Sequence, residues 1–137
     1  MSCTLSSKTP PNFHFVTIHP KFIESYLDFG VLKKAMDLKL INIKVHNLRD
    51  YAIDERGSID AKPYGGGTGM VMRPEPLAKV CETIYKLTPQ QRPITISTRP
   101  GGIIWQQKYA EQFIINPSDV IFICGRFEGM DQRFIDQ

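Results

Sequence analysis

The chain has 137 residues, of which 42% are hydrophobic and 23% charged, and its formal net charge is +3. This length and composition are typical of one globular domain with a sizeable core, and they exclude a long disordered tail. No apolar run approaches the roughly 20 residues of a membrane span, and the stretch from Met1 to Pro11 lacks the apolar segment of a secretory signal.

Cysteine and histidine usage argues against structural metal and disulfide chemistry. The chain contains three cysteines, Cys3, Cys81 and Cys124. An odd number without C-x-x-C spacing favours neither a disulfide framework nor a zinc site, and it indicates a reducing, cytoplasmic compartment. The three histidines, His14, His19 and His46, have no i, i+4 spacing, so no metal site is expected. The mild positive charge permits an anionic partner without demonstrating one.

The predicted elements begin with a strand. Residues 1–12, rich in Ser, Thr and Pro, are expected to form a flexible arm. A β-rich run at residues 13–18 predicts a buried strand. Apolar residues at helical spacing then predict helices at residues 22–27 and 31–37, and alternation of apolar and polar residues predicts a strand at residues 40–48.

The second half of the chain repeats the alternation after a long loop. Residues 49–69 carry charge and glycine without periodicity, which is typical of a functional or disordered loop. A helix is predicted at residues 76–87, a strand at 93–97 and a helix at 105–114. Residues 119–124 are almost continuously apolar, which favours a central strand covered on both faces. Alternating strands and helices predict an α/β fold with a mostly parallel sheet.

The end of the chain also informs its domain organisation. Gln137 falls inside an apparent helix that begins near Met130, so the domain of residues 13–137 is expected to be truncated at its C-terminal end.

A glycine-rich segment is the first candidate site. Residues 63–70 read Pro-Tyr-Gly-Gly-Gly-Thr-Gly-Met, a backbone that can turn sharply and approach a ligand closely. A flexible loop explains the pattern equally well. It is not a P-loop, because no Gly-Lys-Ser/Thr follows. It does not match G-x-G-x-x-G, because no glycine falls at the last position and no clear strand leads directly in.

Two further segments follow the carboxyl ends of predicted strands, where α/β folds bind ligands. Residues 97–102 (Ser-Thr-Arg-Pro-Gly-Gly) form either an ordinary turn or a set of backbone groups that bond a polar edge such as adenine. Residues 124–131 (Cys-Gly-Arg-Phe-Glu-Gly-Met-Asp) place Arg126 and Glu128 between glycines. Glu128 could accept hydrogen bonds from a base edge or an ammonium, and Arg126 could pair with that carboxylate or with a phosphate. The alternative is a surface ion pair beside a tight turn.

For the remaining candidate residues, a structural role explains the pattern at least as well as a functional one. Trp105 and Tyr109, four residues apart, favour helix packing over a base-stacking platform. Cys124 favours an inert buried thiol over a nucleophile. Four cations around the long loop indicate either phosphate contacts or a solvated face, namely Arg49, Arg56, Lys62 and Arg73.

Taken together, these segments resemble the bacterial tRNA (guanine-N1)-methyltransferase family, which methylates guanine 37 of tRNA. The resemblance begins with the strand-to-helix segment at residues 15–22 and with Arg49-Asp50-Tyr51. It continues through the glycine-rich residues 63–70 and ends with residues 124–133, so it covers nearly all of the chain. The glycine octamer and the Gly-Arg-aromatic-Glu-Gly-x-Asp segment are highly specific in combination.

The resemblance implies a knotted (trefoil, SPOUT-type) α/β methyltransferase that uses S-adenosylmethionine, with tRNA as substrate, and that forms a homodimer with its pocket at the subunit interface. It implies cofactor-binding roles for Thr98, Pro100, Gly101, Gly125, Glu128 and Gly129. It implies substrate-binding roles for Tyr64, Gly65, Gly66, Gly67, Arg126 and Glu128. No membrane association and no metal are expected.

Three departures from the family pattern are visible. Thr98-Arg99-Pro100-Gly101 replaces the usual Ser-Pro-Gln-Gly, and Ala61 replaces a second acidic residue after Asp60. The third is length, because the segment that completes the knot, the helical tRNA-binding domain and the catalytic aspartate of the family are not in this sequence. The catalytic base is therefore expected beyond Gln137, and this chain alone is expected to be inactive.

The reaction itself defines what the residues must supply. Methyl transfer to guanine N1 is an in-line displacement that requires alignment of two reactants and removal of the N1 proton. Two alternatives stay open at this stage. A non-catalytic RNA-binding module would need the basic loop but no cofactor, and a nucleotide hydrolase would need a phosphate-binding lysine after the glycines, whereas Lys62 precedes them.

Overall fold

The computed structural model describes residues 9–63, 65–125, 129–130 and 132–135. Its strands and helices alternate as the sequence predicts. The strands are β1 (Asn12–Thr17), β2 (Asn42–Asn47), β3 (Asp60–Ala61), β4 (Val71–Met72), β5 (Ile94–Ser97) and β6 (Val120–Ile123). The helices are α1 (Pro20–Leu27), α2 (Gly30–Asp37), α3 (Pro74–Leu87), α4 (Gln107–Ile115) and α5 (Gln132–Ile135).

Four strands form one sheet in the order β2-β1-β6-β5, and every neighbouring pair is parallel. The strands predicted at residues 13–18 and 119–124 correspond to β1 and β6, which both lie inside the sheet. The mostly parallel α/β fold is thereby confirmed. Because the strands are parallel, all four carboxyl ends lie at one edge of the sheet.

A second, smaller sheet consists of β3, which lies within the predicted long loop, and β4, which follows that loop. β3 and β4 pair antiparallel, with Asp60 opposite Met72 and Ala61 opposite Val71. The expectation that no strand leads into the glycine-rich segment was therefore wrong. A two-residue strand is too short to produce a recognisable period, so this pairing leaves no signal in the sequence.

One face of the main sheet packs against α3. Helix residues Leu77, Val80 and Ile84 are fully buried and belong to one apolar core with the strand residues Val16 and Ile121. Burial of this face explains why the helix shows a clear apolar stripe, since each such side chain contributes roughly 1.5–3 kcal/mol.

The opposite face is aromatic and less covered. The rings of Phe13 and Phe15 stack on Phe122, with centroids 6.4 and 5.0 Å apart. α4 contributes no fully buried residue to this face. The helix predicted at residues 105–114 begins only at Gln107, so Trp105 lies before α4 and is 53% exposed. Its ring still contacts that of Tyr109, at 5.7 Å between centroids.

The amino-terminal edge of the sheet is closed by a charged hydrogen-bond pair. Asn12 donates from its backbone N–H and its side-chain amide to the carboxylate of Asp119, at 2.8 and 3.0 Å. Asn12, which the sequence placed at the end of the arm, is thus the first residue of β1, while residues 1–8 lie outside the described residues. In the part of the chain that the structure describes, no helix has the length and apolar character needed to cross a membrane.

Candidate functional site

The site begins where β5 and β6 end side by side. Thr98 follows β5 and Gly125 follows β6, and the Thr98 N–H donates to the Ile123 carbonyl at 3.4 Å. The two loops approach so closely that a Cβ added at Gly125 would lie 3.2 Å from the Thr98 carbonyl oxygen. That separation is tighter than ordinary contact, so a residue without a side chain fits here best. Gly125 itself is exposed.

The glycine-rich loop is attached to the same place through β4. The Met72 N–H donates to the Gly129 carbonyl at 2.9 Å, and Met72 forms an isolated parallel bridge with Met130. On its other side the loop is closed by the ladder to β3, which the Arg73 N–H extends with a bond to the Ile59 carbonyl at 2.7 Å. The loop is therefore fixed at both ends and joined to the segment that follows β6.

The glycines of this loop are used for their conformation. Gly65, Gly66 and Gly67 have φ values of 86°, 92° and 128°, in a region that residues with a Cβ rarely adopt. The Gly66 N–H bonds the Pro63 carbonyl at 3.2 Å to close a tight turn. All three glycines are exposed, so a ligand could approach this turn.

The structure describes some of the residues expected in the site and omits others. It places Thr98 beside Gly125, bonds Gly129 to β4, and places Pro100 and Gly101 in an exposed turn after β5. Four residues expected or considered for the site lie outside the described residues, namely Tyr64, Arg126, Glu128 and Asp131.

Two open grooves flank the junction of these loops. One, of about 890 Å³, runs between the Thr98–Gly102 turn and α4, with Arg99, Trp105 and Tyr109 in its wall. The other, of about 950 Å³, lies at the carboxyl end of β1 and includes Lys21 and Cys124. Both grooves are at the edge of the sheet where an α/β fold offers a binding crevice.

The thiols of the site region favour a structural role. Burial raises the pKa of Cys124 and raises the pKa of Cys81 to about 11. A thiol whose pKa is raised is protonated at neutral pH and is a poor nucleophile. The described residues contain no group of three or more His, Cys, Asp or Glu side chains placed to hold a metal ion.

One contact that sequence spacing does not predict joins two histidines. His14 Nδ1 and His46 Nε2 are 2.9 Å apart, and the two rings stack with centroids 5.2 Å apart. The parallel register pairs His14 with Lys44, which brings His46 two residues further along the same face. Their 32-residue separation hides this pairing from spacing arguments.

The basic residues around the long loop differ in their surroundings. Arg73 lies 3.5 Å from the Glu75 carboxylate, so part of its charge is already paired. Nearby, the Ser58 N–H donates to Asp54 at 2.8 Å and holds the pKa of that carboxyl below its usual range. Arg49 is exposed and follows β2.

An open parallel sheet with loops from neighbouring strands meeting at its carboxyl edge defines the class of α/β cofactor-binding folds. Comparison with known proteins narrows this class. Residues 12–137 match the family described as tRNA (Guanine-1)-methyltransferase TrmD. The chain belongs to this family.

Two similar proteins carry the same name, and each aligns with this chain over about half of its own length. The chain is 42% identical over 118 residues to a tRNA (guanine-N(1)-)-methyltransferase of Dictyoglomus turgidum, covering 86% of this chain and 46% of that protein. It is 34% identical over 124 residues to the protein of that name in Clostridioides difficile, covering 90% of this chain and 53% of that protein. The chain thus spans about half the length of these relatives.

A solved structure supports the same assignment at the level of the fold. The tRNA (m1G37) methyltransferase from Aquifex aeolicus superposes with a TM-score of 0.81 at 31% identity, covering 93% of this chain and 56% of that one. That neighbour is a SPOUT methyltransferase, so the expected α/β class is confirmed.

Proposed function

We propose that the protein containing this chain transfers a methyl group from S-adenosylmethionine to N1 of guanine 37 in tRNA. The observation that carries the proposal is the close approach of the Thr98 and Gly125 backbones at adjoining strand ends. Exposed peptide groups at that approach are proposed to hold a polar edge of the ligand, and membership of the family supports this assignment.

The residues present fit the cofactor. The contact that a Cβ at Gly125 would make with the Thr98 carbonyl supports a cradle of bare backbone. Thr98, Pro100, Gly101, Gly125, Glu128 and Gly129 are the residues proposed to line it. When bound, S-adenosylmethionine supplies an electrophilic methyl group on a sulfonium centre. The chain's own contribution is to bind the cofactor, to orient it and to limit access of water.

The guanine must be oriented and must lose a proton. Neutral N1–H is a poor nucleophile, so a general base near N1 is required. We assign the guanine edge to Glu128, with Arg126 and the loop of Tyr64, Gly65, Gly66 and Gly67 beside it. The base itself is proposed to be an aspartate from sequence beyond Gln137, and none of the acids in this chain is assigned that role.

The remaining parts of the enzyme are proposed from the family. A knot-completing segment and a helical tRNA-binding domain would account for the length by which the relatives exceed this chain. The protein is proposed to act in the cytoplasm as a homodimer, with each pocket at the subunit interface. The exposed rings of Phe22 and Tyr26, 5.8 Å apart between centroids, support a subunit interface, because adjoining exposed apolar side chains often mark a contact surface.

Calorimetry with S-adenosylmethionine tests the cofactor assignment directly. The polypeptide encoded by the complete reading frame is titrated with S-adenosylmethionine and, separately, with ATP. Saturable binding of S-adenosylmethionine and none of ATP supports the proposal. Binding of tRNA without S-adenosylmethionine would instead support a non-catalytic RNA-binding module.

A further inference from the structure

We propose that three cations at the carboxyl edge of the sheet form a contact track for the phosphate backbone of the RNA. The residues are Lys21, Arg49 and Arg99, called here the strand-end row. The inference rests on the proposed function only in taking RNA as the substrate, and it assigns binding roles to Lys21 and Arg99 in addition to the loop cation Arg49.

The topology brings the three residues to one edge. Arg49 lies two residues after β2 ends at Asn47, Lys21 four residues after β1 ends at Thr17, and Arg99 two residues after β5 ends at Ser97. The strand order β2-β1-β6-β5 arranges them as Arg49, Lys21, Arg99. Neighbouring strands are about 4.8 Å apart, so the row follows an edge of roughly 14 Å.

The position of Lys21 has no local structural reason. It lies in the first turn of α1, where the helix N-terminus carries partial positive charge and acidic residues are preferred. That turn contains no acidic residue to offset the lysine. A cation placed against the helix dipole on an exposed edge is accounted for by an anionic partner outside the chain.

The row also differs from other cations in its surroundings. All three side chains are exposed, and none forms an ion pair with a carboxylate in the part of the chain that the structure describes. By contrast, Arg92, which precedes β5, lies 4.6 Å from the centre of the Tyr85 ring. Arg92 therefore has a packing role within the fold, whereas the strand-end row is free to meet a partner.

The row is placed to position RNA relative to the candidate site. Gly125 follows β6, which lies between the strands that precede Lys21 and Arg99. An RNA backbone that runs along this edge would therefore pass the proposed cofactor site at Gly125. Guanidinium groups bind phosphate in a fork and lysine binds it as a point charge, and such contacts fix register without reading sequence.

Salt-dependent RNA binding by the 137-residue chain tests the row. Fluorescence anisotropy measures affinity for a labelled anticodon stem-loop between roughly 50 and 300 mM KCl, because the affinity that depends on phosphate contacts falls steeply over this range. The variants are Lys21→Gln, Arg49→Gln, Arg99→Gln and the triple. Each lost phosphate contact is expected to lower the slope of log affinity against log salt by about 0.7. The triple variant is expected to lose about 2 from the slope and more than tenfold in affinity at low salt.

A matched triple variant controls for net charge. Lys39→Gln, Lys79→Gln and Lys86→Gln together remove the same charge from exposed positions that do not follow the carboxyl ends of the strands. Its slope is expected to equal that of the parent chain, and circular dichroism checks that both triples fold. Equal loss in both triples, no loss in the row triple, or no RNA binding by the parent chain would overturn the proposal.

The cofactor measurement separates this inference from the proposed function. The double variant Lys21→Gln, Arg49→Gln is expected to leave S-adenosylmethionine affinity of the complete polypeptide within twofold of the parent. If the protein binds S-adenosylmethionine but its RNA affinity is unchanged in the row triple, the result contradicts only the proposed role of the strand-end row. A protein that binds RNA through the row but not S-adenosylmethionine contradicts the proposed function alone.

Discussion

The Met72 N–H donates a 2.9 Å hydrogen bond to the Gly129 carbonyl, and this bond joins the glycine-rich loop to the segment that follows the central strand β6. The two segments are more than 50 residues apart in the chain. The bond, together with the Met72–Met130 bridge, fixes the carboxyl-terminal end of the loop against Gly129 and Met130. Positioning of this kind matters for catalysis, because misplacement of reacting groups by about 1 Å costs roughly 10²-fold in rate.

Replacing Gly129 by alanine is expected to destabilise this junction. Gly129 has φ = +115°, which an L-residue adopts only with strain of about 1–3 kcal/mol. Urea unfolding of Gly129→Ala is therefore expected to show a lower free energy of unfolding by about that amount. Gly101→Ala is the matched control, since an added Cβ there meets no atom within 4 Å and φ is not positive. Equal stability of Gly129→Ala and the parent chain would contradict the described backbone.

Replacing Gly125 by alanine tests the cofactor cradle. The added Cβ would lie 3.2 Å from the Thr98 carbonyl oxygen, so the two loops must separate by a few tenths of an ångström. S-adenosylmethionine affinity of the complete polypeptide is expected to fall about tenfold, equivalent to about 1.4 kcal/mol, with little change in thermal stability. Thr83→Ala, at an exposed position of α3, is the control and is expected to leave S-adenosylmethionine affinity unchanged. Unchanged affinity by calorimetry would remove Gly125 from the site.

Much of the fold was predictable from the sequence because its strongest signals are apolar. The near-continuous run at residues 119–124 identified β6 as an internal strand, and the stripe of Leu77, Val80 and Ile84 identified the buried face of α3. These patterns are set by burial, which dominates the choice of element. The ends of elements were less predictable, and β1 begins at Asn12 within the expected arm.

The meeting of the segments after β5 and β6 at one edge was predictable, but the contacts around them were not. The segments after β5 and β6 were expected to hold the ligand because parallel strands end at one edge. The pairing of β3 with β4 and the Met72–Gly129 bond were not, since such short pairings depend on the position of the rest of the chain. The contact of His14 with His46 depends on the register of β1 against β2, which spacing along one strand does not determine.

The histidine pair predicts a loss of stability in acid. Burial, followed by the neighbouring charges of His46 and Lys44, lowers the pKa of His14 to about 4, against a small opposing effect of Asp119. Burial also lowers the pKa of His46. Because the unfolded chain protonates these groups near pH 6.5 and the folded chain does so only at lower pH, the unfolded state binds more protons between those values. Folding stability is therefore expected to fall as pH drops from about 6.5 toward 4.

Urea midpoints at pH 7.5, 6 and 5 measure this effect. His14 is 1% exposed, so its contribution is expected to cost about 2 kcal/mol of folding stability by pH 5. The variant His14→Leu is expected to show a shallower dependence over the same range, whatever its stability at pH 7.5. A pH dependence as steep in His14→Leu as in the parent chain would show that the pair does not carry the effect.

Methyl transfer to tRNA transcripts tests the central claim most directly. Radiolabelled S-adenosylmethionine is incubated with a transcript carrying guanine at position 37 and with the same transcript carrying adenine there. The polypeptide of the complete reading frame is expected to label only the guanine transcript. Residues 1–137 alone are expected to be at least about 10²–10⁴-fold slower, the typical effect of a missing general base. Failure of the complete polypeptide to label guanine 37, or equal labelling of the adenine transcript, would contradict the proposed function.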